Sequence, residues 1–270
     1  MIPTYSVHTL RVGSIRVEKS AAVQGGGSEL IDVPIWVAAI EGYGSKILVD
    51  TGLRDADKWS SGAPHSLDPG ETLHARLADL GWRTRDIDIV INSHLHYDHS
   101  ENNLDLADAQ FFVSRAEWDF AHDPSSNQVG LYDVEWTSDV LSFLQYTLIQ
   151  VDDYDVLPGL RVIRTPGHTP GHQSVLVNTD EGILCVAGDA ACLMENLTVP
   201  AAPGLNVSAK TSLESIARIC GQSDRILMNH DPSLSQFQNQ DFPKTPDGVT
   251  ADGPSEEPSI QRVPRRVIDD

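Results

Sequence analysis

Cysteine is scarce in this chain. Cys185, Cys192 and Cys220 are an odd number and form no CxxC pair, so neither a disulfide framework nor a thiolate zinc site is indicated. A reducing compartment, the cytoplasm, is the expected location. Long apolar runs are also missing. The longest, VPIWVAAI, has eight residues, where a spanning helix needs roughly 20. The opening MIPTYSVHTLRVGSIRVEKS is broken by polar residues every second or third position, and no signal peptide is expected from it. Positive charge is short as well: 19 Lys and Arg face 39 acids, a formal charge of -20. Such a surface repels a phosphate backbone or an anionic membrane, so neither nucleic acid nor membrane is an expected partner. There is no GxSxG elbow, no internal repeat and no interdomain linker.

What remains is an ordinary globular chain of 270 residues, 40% hydrophobic and 21% charged, long enough to bury a core without staples. Short β-branched and apolar runs bounded by turn residues predict strands: VPIWVAAIEG, KILVDTG, DIDIVINSH, AQFFVSR, GLRVIRTPGH, HQSVLVNTDEG, GILCVAGD and RILMNH. Helical spacing predicts helices over ETLHARLADLGW, SRAEWDFAHD, TSDVLSFLQYT and SAKTSLESIARICGQ. This α/β alternation suggests two packed sheets with helices outside, although propensity alone does not choose among α/β arrangements. Residues 1–237 read as one domain. From Gln238 to the end, Pro, Gly, Asp and Ser dominate without periodicity, predicting a tail, mobile or laid along the surface. Such a tail is long enough to reach a neighbouring subunit, which leaves a homodimer open.

The chemistry concentrates in SHLHYDHS, directly after the apolar run DIDIVIN. His94, His96, Asp98 and His99 are four metal-capable side chains within six positions. A chance HxHxDH in such a chain has a probability on the order of 10⁻³; the alternative reading is a solvated histidine-rich loop. In a continuing strand His94, His96 and Asp98 would share one face and His99 the other, so the spacing suggests two clusters. His168 in RTPGHTPGH, Asp189 in VAGDA and His230 in ILMNHD each stand where another apolar run stops. Five imidazoles and two carboxylates suit two divalent metals, zinc above all, with manganese, iron or cobalt acceptable.

LVDTGLR, INSHLHYDHS, VLPGLRVIRTPGHTPGHQSV, GDAACLMEN and NHD together resemble the metallo-β-lactamase superfamily, and within it the N-acyl homoserine lactonase branch, over roughly residues 30 to 235. The resemblance implies an αββα sandwich with the site at one edge. It implies that His94, His96 and His168 hold one metal, Asp98, His99 and His230 the other, and that Asp189 bridges them. It also implies a hydrolase opening a lactone or related small carbonyl substrate by attack of hydroxide shared between two metals. Asp98 would then serve as ligand and as catalytic acid or base. Asp50 in LVDTG would accept from a ligand imidazole, or merely cap its turn. His172 is expected to pack or support, not to ligate. His74 and His122 are expected at the surface or at helix ends. Trp36, Trp59, Trp118 and Trp136 are read as core or pocket residues.

One position departs from the branch. A tyrosine commonly follows the bridging aspartate by three residues and donates to the substrate oxygen, and here Cys192 stands there. A thiol is a weak donor. Either the metals act alone, or Tyr97, Tyr132 or Asn196 substitutes, or the bond attacked is that of a lactam or cyclic amide, a thioester or a phosphoester. A non-catalytic metal-binding or redox protein of the same fold is a further reading.

Overall fold

The computed structural model describes residues 2–59, 64–139, 141–199, 201–236 and 242–250. Among the described residues twelve strands form two mixed sheets. The first contains β1 (Ser6–Glu18), β2 (Leu30–Gly42), β3 (Ser45–Val49), β4 (His65–Ser66), β5 (Ile89–Ile91), β6 (Gln110–Ser114) and β7 (Tyr146–Ile149), in the order β4-β1-β2-β3-β5-β6-β7. The second contains β8 (Asp153–Leu157), β9 (Leu160–Arg164), β10 (Gln173–Thr179), β11 (Gly182–Gly188) and β12 (Arg225–Met228), in the order β12-β11-β10-β9-β8.

Side-chain alternation along β2 explains why the sheets stack. Trp36, Ala38 and Ile40 face the second sheet in a core that includes Val162, Val175, Val186 and Leu227. Val37 and Ala39 face the opposite way, into a core closed by Leu73 and Leu77 of the helix Leu73–Asp79 and by Ala121 of the helix Arg115–His122. The helix Ala209–Gln222 covers the second sheet through Ile216 and Ile219. The layers are thus the αββα sandwich expected from the resemblance. Both longer predicted helices begin at a serine whose hydroxyl accepts a backbone N–H: Ser114 from Glu117 and Ser208 from Thr211. Each such cap is worth about 1 kcal/mol.

Four strands were absent from the sequence reading, β1, β7, β8 and the two-residue β4. The long β1 is interrupted by a register irregularity between Arg11 and Ser14, around Gly13, which breaks the alternation a pattern search relies on. The short β8 lies at a sheet edge and carries Asp153 and Asp155. TSDVLSFLQYT is not one helix: the helix Val134–Asp139 ends, a 3₁₀ turn covers Leu141–Phe143, and Tyr146–Ile149 joins β6 in parallel as β7. Pairing with β6 outweighs the helical spacing of the apolar residues. Of the predicted tail, 242–250 is described. Phe242 is buried in the inter-sheet core, and the Pro243 carbonyl accepts the Ile226 N–H of β12.

Candidate metal centre

β3 runs parallel to β5, and β11 parallel to β12, so the residues that follow these four strands meet at one end of the sandwich. Asp50 follows β3, Asn92 to His96 follow β5, Asp189 follows β11 and His230 follows β12. His168 comes from the β9–β10 connection at the same end. After β5 the chain turns sharply, and a one-turn helix, Tyr97–Ser100, starts beyond His96. Gln173 ties this turn to the second sheet: its N–H donates to the Ser93 carbonyl (3.0 Å) and its side-chain amide to the Asn92 carbonyl (2.9 Å).

All seven expected residues are buried and converge. Three groups have ligand atoms within 4.8 Å of one another: His94, His96 and His168; His94, His99 and Asp189; and Asp98, His99 and His230. Asp189 reaches both sides. Its Oδ2 lies 3.4 Å from His168 Nε2, and its Oδ1 lies 3.5 Å from His99 Nε2 and 3.3 Å from His230 Nε2. Asp98 Oδ2 is 3.6 Å from both His99 Nε2 and His230 Nε2. Ligand arms of about 2.05 Å in a tetrahedron are separated by roughly 3.3 Å, so these spacings fit cations lodged among the groups.

The imidazole tautomers fit as well. His168 Nδ1 donates to the Leu205 carbonyl (2.8 Å) and His230 Nδ1 to the Pro34 carbonyl (2.9 Å), which leaves each Nε2 with a lone pair facing inward. His99 Nδ1 lies 2.8 Å from Asp50 Oδ2. His94 Nδ1 contacts the Ser93 hydroxyl at 3.0 Å. His96 is turned the other way: its Nδ1 sits 2.9 Å from His94 Nε2 and 3.1 Å from His168 Nε2. His99 Nε2 and Asp189 Oδ1 are buried without a hydrogen-bond partner. Buried polar atoms left bare in this way are costly unless a ligand takes them up, and a divalent cation suits both.

Electrostatics divide the cluster. Burial, reinforced by neighbouring imidazoles, holds His94 and His96 well below the ordinary imidazole range. Burial also lowers His168. At His99 burial opposes the charged form, but Asp98, Asp189 and Asp50 together outweigh it and raise the ring well above its usual value. His230 is raised in the same way, chiefly by Asp189 acting against burial. Asp189 is pulled well below the carboxylate range, the His230 and His99 charges overcoming its burial.

Asp50 is fully buried at φ 63°. It accepts the Ser93 N–H on Oδ1 (2.7 Å) and the Ser93 hydroxyl on Oδ2 (2.7 Å), so it orients His99 rather than only capping its turn. His172 stays outside the metal-facing groups. Its Nε2 accepts the Asp189 N–H (2.9 Å) and its Nδ1 lies 2.9 Å from Thr165 Oγ1. His122 closes its helix on the Trp118 carbonyl and His74 is exposed. The Trp36 indole donates to the Asp231 carbonyl beside the site (3.0 Å), and the Trp136 side chain lies outside the described residues.

Two supports escaped the sequence reading. Glu117, fully buried in the first turn of its helix, accepts the Leu95 N–H (2.9 Å), the Tyr132 hydroxyl (2.8 Å) and the Thr169 hydroxyl, tying the His94–His96 and His168 loops together. Gln128 donates to the His168 carbonyl (2.7 Å). Both sit in segments that read as a helix surface and a polar loop, and only tertiary packing buries them.

A cavity of about 100 Å³ opens onto the cluster. His96, Asp98, His168, Asp189 and His230 form its floor, Ile15, Val17, Val33, Leu131 and Leu205 its apolar walls, and Tyr97 and Cys192 its remaining polar surface. Burial, then Asp189 and Asp98, push the Cys192 thiol well above its usual range, so it stays protonated. Of the three candidate donors, Tyr97 lines the cavity. Tyr132 is committed to Glu117, and Asn196 to the Leu193 N–H and the Ala22 and Ala201 carbonyls.

Residues 30–221 match the family model of the metallo-beta-lactamase superfamily. An N-acyl homoserine lactonase of a Bacillus species is 31% identical over 203 residues, which are 71% of this chain and 77% of that protein. Among solved structures, an N-acyl homoserine lactone hydrolase with the product N-hexanoyl-L-homoserine at its catalytic metal centre superposes with a TM-score of 0.75 at 24% identity, over 87% of this chain and 96% of that one. A dizinc quorum-quenching lactonase in complex with a product superposes with a TM-score of 0.64 at 17% identity, over 86% and 92%.

Proposed function

Because the chain belongs to the metallo-beta-lactamase superfamily, we propose that it is a dinuclear metal-dependent hydrolase opening a cyclic ester with an apolar substituent. His94, His96 and His168 would hold one divalent cation, Asp98, His99 and His230 would hold the second, and Asp189 would serve both. The observation that carries this reading is the placement of Asp189, one oxygen towards His168 and the other towards His99 and His230. Zinc suits the nitrogen and oxygen donor set, and the dizinc content of one structural relative supports it.

When bound, such a cation pair supplies a nucleophile from water at neutral pH and polarises the substrate carbonyl. The protein's own groups do the rest. The apolar walls exclude bulk water and seat the substituent. Asp98, on the cavity floor, takes up the proton released as water adds to the acyl carbon and returns it to the ring oxygen as the acyl–oxygen bond breaks. Lactone plus water becomes hydroxy acid.

The 31% identical lactonase supports N-acyl homoserine lactones as the first substrates to try. Cys192, a poor donor on the cavity wall, favours a second reading in which the same site cleaves a lactam or cyclic amide, a thioester or a phosphoester. A panel of all these substrates, followed by pH-stat with and without chelator on protein of measured metal content, separates the readings. Chelator-sensitive lactone opening is expected. Its absence, with turnover of another class, replaces the first reading by the second.

A further inference from the structure

Every polar side chain on the cavity floor belongs to the metal-facing groups: His96, Asp98, His168, Asp189 and His230. An acyl oxygen that gains charge in an apolar cavity is stabilised further by a hydrogen-bond donor aimed at it, beyond what a cation supplies. Two candidates remain on the lining, and the Cys192 thiol is a weak one. We infer that Tyr97, steadied by His65, donates a hydrogen bond to the acyl oxygen of the substrate, an inference that rests on the hydrolase reading above.

The phenol is held rigidly. Its oxygen lies 2.7 Å from His65 Nε2, and its ring stacks on Trp59 with centroids 4.1 Å apart and planes 11° from parallel. Trp59 is fixed in turn, its indole donating to Glu101 (2.7 Å), which also accepts the Arg54 and Asp55 N–H groups. With His65 donating from Nε2, the phenol keeps its own proton for the cavity. Tyr97 also starts the one-turn helix that carries Asp98, so donor and proton-handling carboxylate keep a fixed relation. Only a hydrogen bond is made, and the phenol transfers no proton.

The test uses metal-loaded protein and N-hexanoyl-L-homoserine lactone. Tyr97→Phe should lower kcat about 100-fold, with KM changed little and metal content intact. His65→Ala should lower kcat less and add nothing in the Tyr97→Phe background, because it acts through the phenol. Calorimetric binding of the ring-opened N-hexanoyl-L-homoserine should weaken about tenfold in Tyr97→Phe, a readout independent of turnover. Unchanged kcat at full metal content overturns the inference, and so does loss of metal from Tyr97→Phe, which would make its role structural. If the wild type opens no lactone but cleaves another ester, thioester or amide, the hydrolase reading changes substrate, and the same variants on that substrate decide the role of Tyr97. If the wild type neither turns over any substrate nor binds the product, both readings fall.

Discussion

The backbone N–H of Asp189 donates to Nε2 of His172 at 2.9 Å, so a histidine outside the metal-facing groups sets the position of the carboxylate that lies between His168 on one side and His99 and His230 on the other. Because His172 Nε2 accepts, its proton sits on Nδ1 and points at Thr165 Oγ1. Thr165 contacts Ser174, whose hydroxyl donates to the Ala187 carbonyl on β11, two residues before Asp189. Gly188, at φ 58°, lets the ring approach: a Cβ there would come within 2.7 Å of His172 Nε2. His172→Ala strands the buried Asp189 amide, at a cost of about 1–3 kcal/mol. It should also weaken metal affinity about 10- to 100-fold, as loss of a ligand's outer partner does. Denaturant unfolding and metal titration with a chromophoric competitor check the two effects separately.

Burial drives His172 down to about 3 from an ordinary value of 6.5, so the native ring stays neutral where the unfolded one titrates. The folded state therefore binds fewer protons. The stability this supplies is fully present above pH 6.5 and drains away as the pH falls towards 3. His172→Gln removes this titration, so its stability should fall less steeply than that of the wild type across that window. Urea unfolding of the metal-free proteins at intervals between pH 6.5 and pH 4 measures the slopes, and parallel slopes would contradict the assignment.

Asp50→Asn tests orientation of His99 without altering the turn, since Asn tolerates the left-handed backbone that Asp50 occupies at φ 63°. The charged partner of His99 Nδ1 is lost. On the proposed dinuclear reading, a cation lodged among His99, Asp98 and His230 should bind about 10- to 100-fold more weakly while one among His94, His96 and His168 is retained, so metal analysis after mild chelation should give about one ion per chain. Equal loss of both ions would mean that Asp50 supports the turn as a whole.

Much of this site was legible in the sequence because buried strands in parallel pairs read as continuous apolar runs, and the ligand types stand where those runs stop. VIN before His94, VAG before Asp189 and ILMN before His230 mark strand ends that the topology gathers at one edge. The supports were not legible. Glu117 looks like any acid in a first helical turn, where such residues are usually solvated, and its burial depends on loops 22 and 52 residues away in sequence. His65 has no pattern around it at all; β4 has two residues, and their pairing with β1 brings the ring to Tyr97. β1 itself was hidden by the irregularity at Gly13.

Glu117 therefore makes a prediction that no sequence pattern would suggest. Its carboxylate meets three donors, from Leu95, Tyr132 and Thr169, in a fully buried setting. Glu117→Gln keeps the shape but turns one acceptor into a donor facing donors, and should cost about 1–3 kcal/mol for each unmet group. The His96 and His168 loops then lose their common anchor. Thermal unfolding should show the loss even in metal-free protein, which separates it from any effect on the cations.

The division of charge within the cluster predicts how cations enter. In the metal-free protein His99 and His230 are held above the ordinary imidazole value by the carboxylates around them, so both rings hold a proton more readily than a free imidazole does. The stability this charge pairing supplies is complete below the unfolded value of 6.5 and is lost as the pH rises through the raised native values. A cation needs the same Nε2 lone pairs, so its binding must displace those protons. Metal titration near pH 7, in buffers of differing ionisation enthalpy, should therefore report release of protons from these two rings. The number should fall as the pH is raised, because the rings then arrive already bare. His94, His96 and His168, lowered by burial, should contribute almost nothing. Release that persists in His99→Ala and His230→Ala variants would trace the protons to other groups and undo the assignment of charge to this side of the site.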